Sequence, residues 1–399
     1  MKYYLTIFFI YIATGKLFFN DNADVAGKFQ ESSAAYIVAS LTILFLFFIL
    51  FKRLKYLLII NNNHIIIVPF VYYFYGLLTA SFSSIPIVTA FQSMVGIGFV
   101  LGANTIAKRM ENYSYQDGVN FINKLIVVII IAGIISNLVF NLKNPNFHWQ
   151  GIPSGYITVM VLYFAIYNLI NYYDFKKRKY LVRFFLITIL ASYLNSFSAH
   201  LALLFSILVL LFYKKKYLFL IMITTFLVIG FFFTISFLEN NLDLVINNKP
   251  AGVYLIGSGR FSIYIASLEL YKSLDIGHQI FGLGFMSERN LLSAYGLTWS
   301  IDPHNSFIRS VLGLGAVGGA LYIFFSVYPF IIYPKLKKIN KNIALKWLMM
   351  HTMFLIYGIT SSTYLGTPSI QLFVFIIFSQ LLIYHLRKKK YFKGEAYGD

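Results

Sequence analysis

Apolar stretches of roughly 18 residues or more recur from one end of this chain to the other, each long enough to cross a hydrocarbon core of about 30 Å as a helix. In lipid a backbone must satisfy its own hydrogen bonds, which leaves helices or closed barrels as spanning structures, and runs of this length select helices. Only 12% of the 399 residues are charged and 59% are hydrophobic, whereas soluble domains carry about 25% charged residues. The fold class expected is an all-α polytopic membrane protein.

Apolar runs set against polar breaks predict helices over 2–19, 34–51, 64–82, 85–107, 120–141, 152–172, 181–196, 198–213, 217–238, 304–333, 344–362 and 367–386, about twelve transmembrane helices with ends uncertain by about 2 to 4 residues. The pair 181–196 and 198–213 is separated only by "LNSFSAH". The first run follows Lys2 but has no small-x-small cleavage site, so it reads as a retained helix. With no cysteine in the chain, disulfides and thiolate metal sites are excluded.

The net charge of +19 does not make a nucleic-acid binder. The basic residues fall in short clusters between apolar runs, "KRLK" (52–55), "KKRKYLVR" (176–183), "KKK" (214–216), "KLKKINKN" (335–342) and "RKKKYFK" (387–393) among them, not on one face. These clusters follow every second helix. By the positive-inside rule they lie in the cytoplasm, with both termini. Of the 33 Lys and Arg, only eight fall on the opposite side: Lys16, Lys28, Lys143, Lys249, Arg260, Lys272, Arg289 and Arg309.

Most loops are short, but residues 239–303 form an external loop of about 65 residues, a length that is uncommon unless the loop is functional or disordered. Within it "GRFSIYIASLELYKSL" (259–274) has apolar positions at helical spacing, which predicts short amphipathic helices lying on the bilayer or capping the bundle. The organisation expected is a nine-helix bundle over 1–238, the external loop over 239–303 and a three-helix segment with a basic tail over 304–399. No internal repeat of the kind that marks alternating-access transporters is visible.

Candidate chemistry gathers around that loop. Arg260 follows "GSG", and its planar fork of donors suits phosphate oxygens; an ordinary arginine among headgroups is the competing reading. His304 opens a glycine-bearing helix, where an imidazole titrating near neutral pH can take a proton from an attacking hydroxyl. Asn305 and Asp302 could fix its tautomer, or simply cap the helix start. Arg309, read along a single helix, lies about one turn deeper than His304, where it should face protein, water or an anion, or else snorkel. His200 sits at the start of helix 198–213. His351 lies inside a helix, where a neutral, hydrogen-bonded histidine is commonplace. The glycines of "GLG" (282–284) and "GLGAVGG" (313–319) are not phosphate loops, because no Lys-Ser/Thr follows; they suit close helix packing. No zinc-like cluster, serine elbow or paired-carboxylate metal site is visible, so no metal or cofactor is expected.

Together "GSGR" (257–260), "FGLGF" (281–285) and "HNSFIRSVLGLGAVGGALYIF" (304–324) resemble the O-antigen polymerase and O-antigen ligase superfamily. The resemblance covers about 70 residues, and the twelve-span layout with one large external loop before the last three helices also fits. It implies a metal-independent membrane glycosyltransferase whose donor and acceptor are undecaprenyl-diphosphate-linked oligosaccharides held at the lipid bilayer, with a chain-length regulator as a candidate partner and no nucleic acid. It assigns the donor diphosphate to Arg260 and the base role to His304. The family often has a further arginine in a Ser-Arg where this chain reads "SFSAH", so His200, Arg289 or Arg309 would have to supply that contact, and Asn305 is a further substrate-binding candidate. A polymerase that extends the glycan is favoured over a ligase that transfers it to lipid A core, because polymerases read their own sugars twice and diverge. A transporter of the same lipid-linked glycan is the alternative of another class.

Overall fold

A computed structural model describes residues 64–110, 115–143, 154–192, 196–239, 245–246, 249–250, 260–288, 292, 303–338, 340–361 and 363–394. The helices expected over 2–19 and 34–51 lie outside the described residues. In chain order the elements are α1 (His64–Leu78), α2 (Pro86–Arg109), α3 (Tyr115–Lys143), α4 (Ser154–Phe175), α5 (Arg178–Ser192), α6 (Phe197–Tyr213), α7 (Tyr217–Glu239), α8 (Arg260–Ser273), α9 (Ile276–Phe281), α10 (Ser306–Lys337), α11 (Lys341–Ser361) and α12 (Ile370–Gly394). A 3-10 turn over Thr79–Ser81 extends α1, and a minimal antiparallel ladder pairs β1 (Val245–Ile246) with β2 (Lys249–Pro250).

Among the described residues four stretches, His64–Ser81, Pro86–Lys108, Ser306–Lys337 and Lys341–Ser361, are both long and apolar enough to cross a membrane, and Phe197–Tyr213, Tyr217–Phe226 and Ile370–His385 are shorter apolar helices. The molecule is therefore a helical membrane protein. Its short connections fall where basic clusters were read: Lys176 and Lys215 turn the chain between α4 and α5 and between α6 and α7 with φ of 55° and 57°.

The last three helices are set among the earlier ones. Helix α11 packs on α4, α6, α10 and α12, while α12 lies on α2 and α3, and α10 on α1. Trp347 of α11 stacks on Phe375 and donates from Nε1 to Ser379 Oγ at 2.7 Å. His351 shows why a polar group is tolerated there. The Ser326 carbonyl can only accept, so Nε2 carries the proton and donates to it at 2.9 Å; Nδ1 then accepts from the Tyr364 hydroxyl at 2.8 Å. This buried imidazole has a hydrogen-bond partner on each ring nitrogen, the bonded state expected for it. At the end of the bundle bearing the basic turns, Asp174 pairs with Lys214 and accepts from Asn342, and the Lys346 ammonium lies 3.8 Å from the Tyr167 ring centroid.

Helix α10 is not the straight span expected over 304–333. Gly315, at φ 64° and ψ −162°, breaks it into a short arm (306–314) and a long arm (316–337). Along an unbroken helix at about 1.5 Å per residue, Phe307 and Tyr322 would be about 22 Å apart; their ring centroids are 6.0 Å apart. A Cβ on Gly318 would lie 2.6 Å from the Ser310 carbonyl oxygen, and one on Gly319 would lie 2.9 Å from Val311 Cγ2. The helix thus folds back on itself at Gly315, and glycines 318 and 319 admit the short arm against the long one. At about 33 Å the long arm still reaches across a hydrocarbon core.

Small residues also set the α1–α2 contact, where a Cβ on Gly96 would run into the buried Tyr73 ring. Gly96→Val should destabilise by about 1 to 3 kcal/mol through overpacking, read as a lower temperature at which the detergent-solubilised protein loses monodispersity. Gly102→Ala, whose Cβ would meet Phe373 at an ordinary 3.5 Å, should leave that temperature unchanged.

Candidate functional site

The short arm is a docking platform for the described stretch 276–288 of the chain between α7 and α10. Because Gly315 leaves the helix, the carbonyls of Leu312 and Gly313 are released from the partners a continuous helix would supply. They accept instead from the amides of Leu283 (3.0 Å) and Gly284 (2.9 Å). The approach is backbone to backbone: a Cβ on Gly282 would collide with the Gly313 carbonyl, and one on Gly315 with the Ile280 carbonyl. Both glycines, with Gly284, have positive φ (87°, 64° and 99°), which glycine adopts without the cost a side chain imposes. The two "GLG" stretches, read as helix-packing residues, are therefore the two halves of one junction.

Beyond the junction the loop sinks into the bundle. Phe285 is buried edge-on against Tyr72 and Tyr73. Its amide donates to Thr79 Oγ1 at 3.2 Å and its carbonyl accepts from Thr89 Oγ1 at 2.7 Å. With the Thr89 hydroxyl committed to that carbonyl, Ser83 Oγ donates to Thr89 (2.7 Å) and Ser287 Oγ donates to Ser83 (2.6 Å). The Phe281 carbonyl accepts from the Tyr75 hydroxyl at 2.9 Å. Helix α8 completes the cap, packing Ile263, Ala266 and Leu270 against Leu312 and Ile308 of the short arm.

Arg309 and Glu288 join the same two pieces. Arg309 Nε lies 2.8 Å from Glu288 Oε1, with the side chains 1% and 0% exposed. Of the alternatives open for Arg309, the structure selects protein. Because the short arm runs back toward Gly315, Arg309 lies on the apex side of His304 and not one turn deeper, which corrects the reading of a single straight helix. Ser310, next along, donates to the Ser306 carbonyl and accepts from the Tyr72 hydroxyl, both at 2.7 Å.

At the foot of the arm, Asn305 is the N-cap. Its Oδ1 accepts from the amides of Phe307 (2.9 Å) and Ile308 (3.1 Å), so the capping alternative holds for it. Ser306 Oγ donates to the carbonyls of Gly358 and Thr363, fastening the arm to the end of α11. His304, half-buried, has φ 47°, a left-handed conformation that costs a non-glycine residue about 1 to 2 kcal/mol. Among the described residues six of the eight positive-φ positions, Gly282, Gly284, Met286, His304, Gly315 and Tyr364, belong to the cap, the arm or the turn after α11. Of these six, Met286, His304 and Tyr364 are not glycine and carry strain of the kind that clusters at active sites and ligand clamps.

The remaining candidates are placed as follows. Arg260 opens α8, its side chain lying outside the described residues, as do Arg289 and Asp302. His200 stands in the first turn of α6: Nδ1 donates to the Ser196 carbonyl at 2.8 Å, and Nε2 faces Ser192 Oγ at 3.3 Å. The structure thus joins His304, Asn305 and Arg309 on one arm, lays the helix that Arg260 opens along it, and puts His200 on a different pair of helices. Sequence reasoning missed Glu288 and Tyr72; the one available signal for Glu288 was that a buried arginine in a chain with 14 acidic residues needs a carboxylate. No protein-family model matches this chain, and no curated protein is significantly similar to it in sequence.

Removing one member of a buried ion pair leaves the other charge uncompensated, at a cost of about 3 to 5 kcal/mol. Glu288→Ala and Arg309→Ala should each lower the detergent melting temperature sharply. The double variant Glu288→Leu/Arg309→Met should recover much of the loss, which double-mutant-cycle thermal denaturation measures. Gly315→Ala, which drives a Cβ into the Ile280 carbonyl, should release the cap and expose 281–288 to protease while the long arm stays intact.

Proposed function

We propose that this chain is an O-antigen or capsular polysaccharide polymerase: a metal-independent membrane glycosyltransferase of about twelve spans, with both termini in the cytoplasm of a bacterial inner membrane, working on the external face. The observation that carries the reading is the junction itself. Two of the three sequence pieces behind the family resemblance, 281–285 and 304–324, meet where the cap's "GLG" ladders onto the short arm, and the helix that Arg260 opens packs along that arm.

In this reading Arg260 binds the diphosphate of a polyprenyl-linked donor. The acceptor hydroxyl of a lipid-linked repeat unit attacks the donor's anomeric carbon; its proton passes to His304 as the bond to the diphosphate breaks, and the charge on the leaving group is held by fixed cations. The buried Arg309–Glu288 pair supports a positioning role for Arg309, keeping arm and cap in register, better than a direct phosphate contact, which leaves Arg289 and His200 as the second cation. Asn305, by capping the arm, sets the backbone that carries His304.

One observation favours a second reading, transport of the same glycan: broken helices and buried ion pairs also line transporter paths. The surface polysaccharide ladder separates the readings, run on gels from cells deleted for the gene and complemented at matched protein level with wild type, His304→Ala or Arg260→Ala. A polymerase predicts that both variants leave a single repeat unit on the lipid core. A bare core with long lipid-linked chains accumulating would mean a ligase, a bare core with single lipid-linked units a transporter, and an undiminished ladder would remove both residues from the site.

A further inference from the structure

The cap carries an apolar face that packing does not explain. In α9 Ile276 is 72% exposed, Phe281 52% and Ile280 40%, although the segment belongs to the external loop. An isolated exposed apolar side chain means little; three within six residues, on a helix held firmly in place, form a patch. Asp275 caps α9, its carboxylate accepting from the His278 amide at 3.0 Å and pairing with the His278 ring; that side-chain bond holds the Asp275 carboxyl below its ordinary range. Tyr271 and Gln279 tie α9 to the end of α8. The patch is therefore not a frayed end.

Its position identifies the partner. The Phe281 carbonyl is bonded to the Tyr75 hydroxyl, and Tyr75 stands beside the outward face of α1, where Val71, Phe74 and Leu78 are exposed at helical spacing. That face belongs to one of the segments long and apolar enough to cross a membrane, so lipid covers it. Ile276, Ile280 and Phe281 are exposed likewise, and the Phe281–Tyr75 bond holds this end of α9 against α1. Lys272, one turn earlier on α8, is exposed, and a lysine at this height can reach phosphate headgroups while the apolar residues lie among acyl chains. The face of α8 toward the short arm is filled by Ile263, Ala266 and Leu270, while Ile265 and Leu268 elsewhere on α8 are exposed together with the apolar residues of α9.

We infer that α9 is a membrane-interface anchor: Ile276, Ile280 and Phe281 insert into the outer leaflet beside α1 and hold the cap at the level of the lipid headgroups. This inference rests on the packing of cap and bundle and not on the glycosyl-transfer reading.

The chain has no cysteine, so a single introduced one reports without background. Ile276→Cys, Ile280→Cys and Phe281→Cys, each spin-labelled in lipid nanodiscs, should collide more with oxygen than with a water-soluble nickel chelate, and Lys272→Cys should show the reverse. Collision dominated by nickel at the three α9 positions would place them in water and overturn the anchor. Low collision with both, accompanied by spin–spin broadening that disappears on dilution with unlabelled protein, would assign the patch to a second copy. Low collision without broadening would mean that the chain itself covers it, and either result also overturns the proposal.

Discussion

The packing of the cap and the short arm depends on two carbonyl groups that a helix gives up. By leaving helical geometry at Gly315, α10 exposes the Leu312 and Gly313 carbonyls, which inside a membrane bundle must find donors. The amides of Leu283 and Gly284 supply them. That exchange fixes the depth of the cap and the fold-back of the short arm together. It works only because glycine stands on both sides of the contact, where any Cβ would keep the backbones apart.

Once cap and arm are locked, the polar groups around them fall into place. The hydroxyl relay from Ser287 through Ser83 and Thr89 to the Phe285 carbonyl satisfies groups that would otherwise be stranded in an apolar bundle. The Arg309–Glu288 pair spans the same seam. Such a pair contributes little net stability over apolar side chains of the same shape, but it strongly penalises any register in which the charges miss each other. The strained backbone at His304 persists because the arm after it is fixed at the cap, at Tyr72 and, through Ser306, at the end of α11.

Helix positions were largely legible in the sequence. Each of the ten helices expected from residue 64 onward has a counterpart, because apolar runs bounded by lysine clusters leave little choice once lipid is the solvent. The satisfied state of His351 was legible for the same reason. The fold-back was not, since a glycine reads the same in a packed helix and at a break; only the tertiary partner at 282–284 decides, and no periodicity encodes it. The order of His304 and Arg309 along the bundle was misread as a direct consequence. For Arg309 the sequence left protein, water, an anion and snorkelling open, and nothing in it singled out the carboxylate 21 residues earlier.

The fold-back of α10 is the claim on which the site rests, and a disulfide tests it directly. A Cβ on Gly319 would lie 2.9 Å from a γ-carbon of Val311, so Val311→Cys with Gly319→Cys falls within disulfide reach, whereas a continuous helix would separate the pair by about 12 Å. With no native cysteine to compete, mild oxidation in membranes should give a reducible intrachain bridge between the two positions, identified by peptide mass spectrometry. Two free thiols under the same oxidation, in protein that is folded and membrane-inserted, would mean that α10 runs straight and that the cap and His304 are not held together as described.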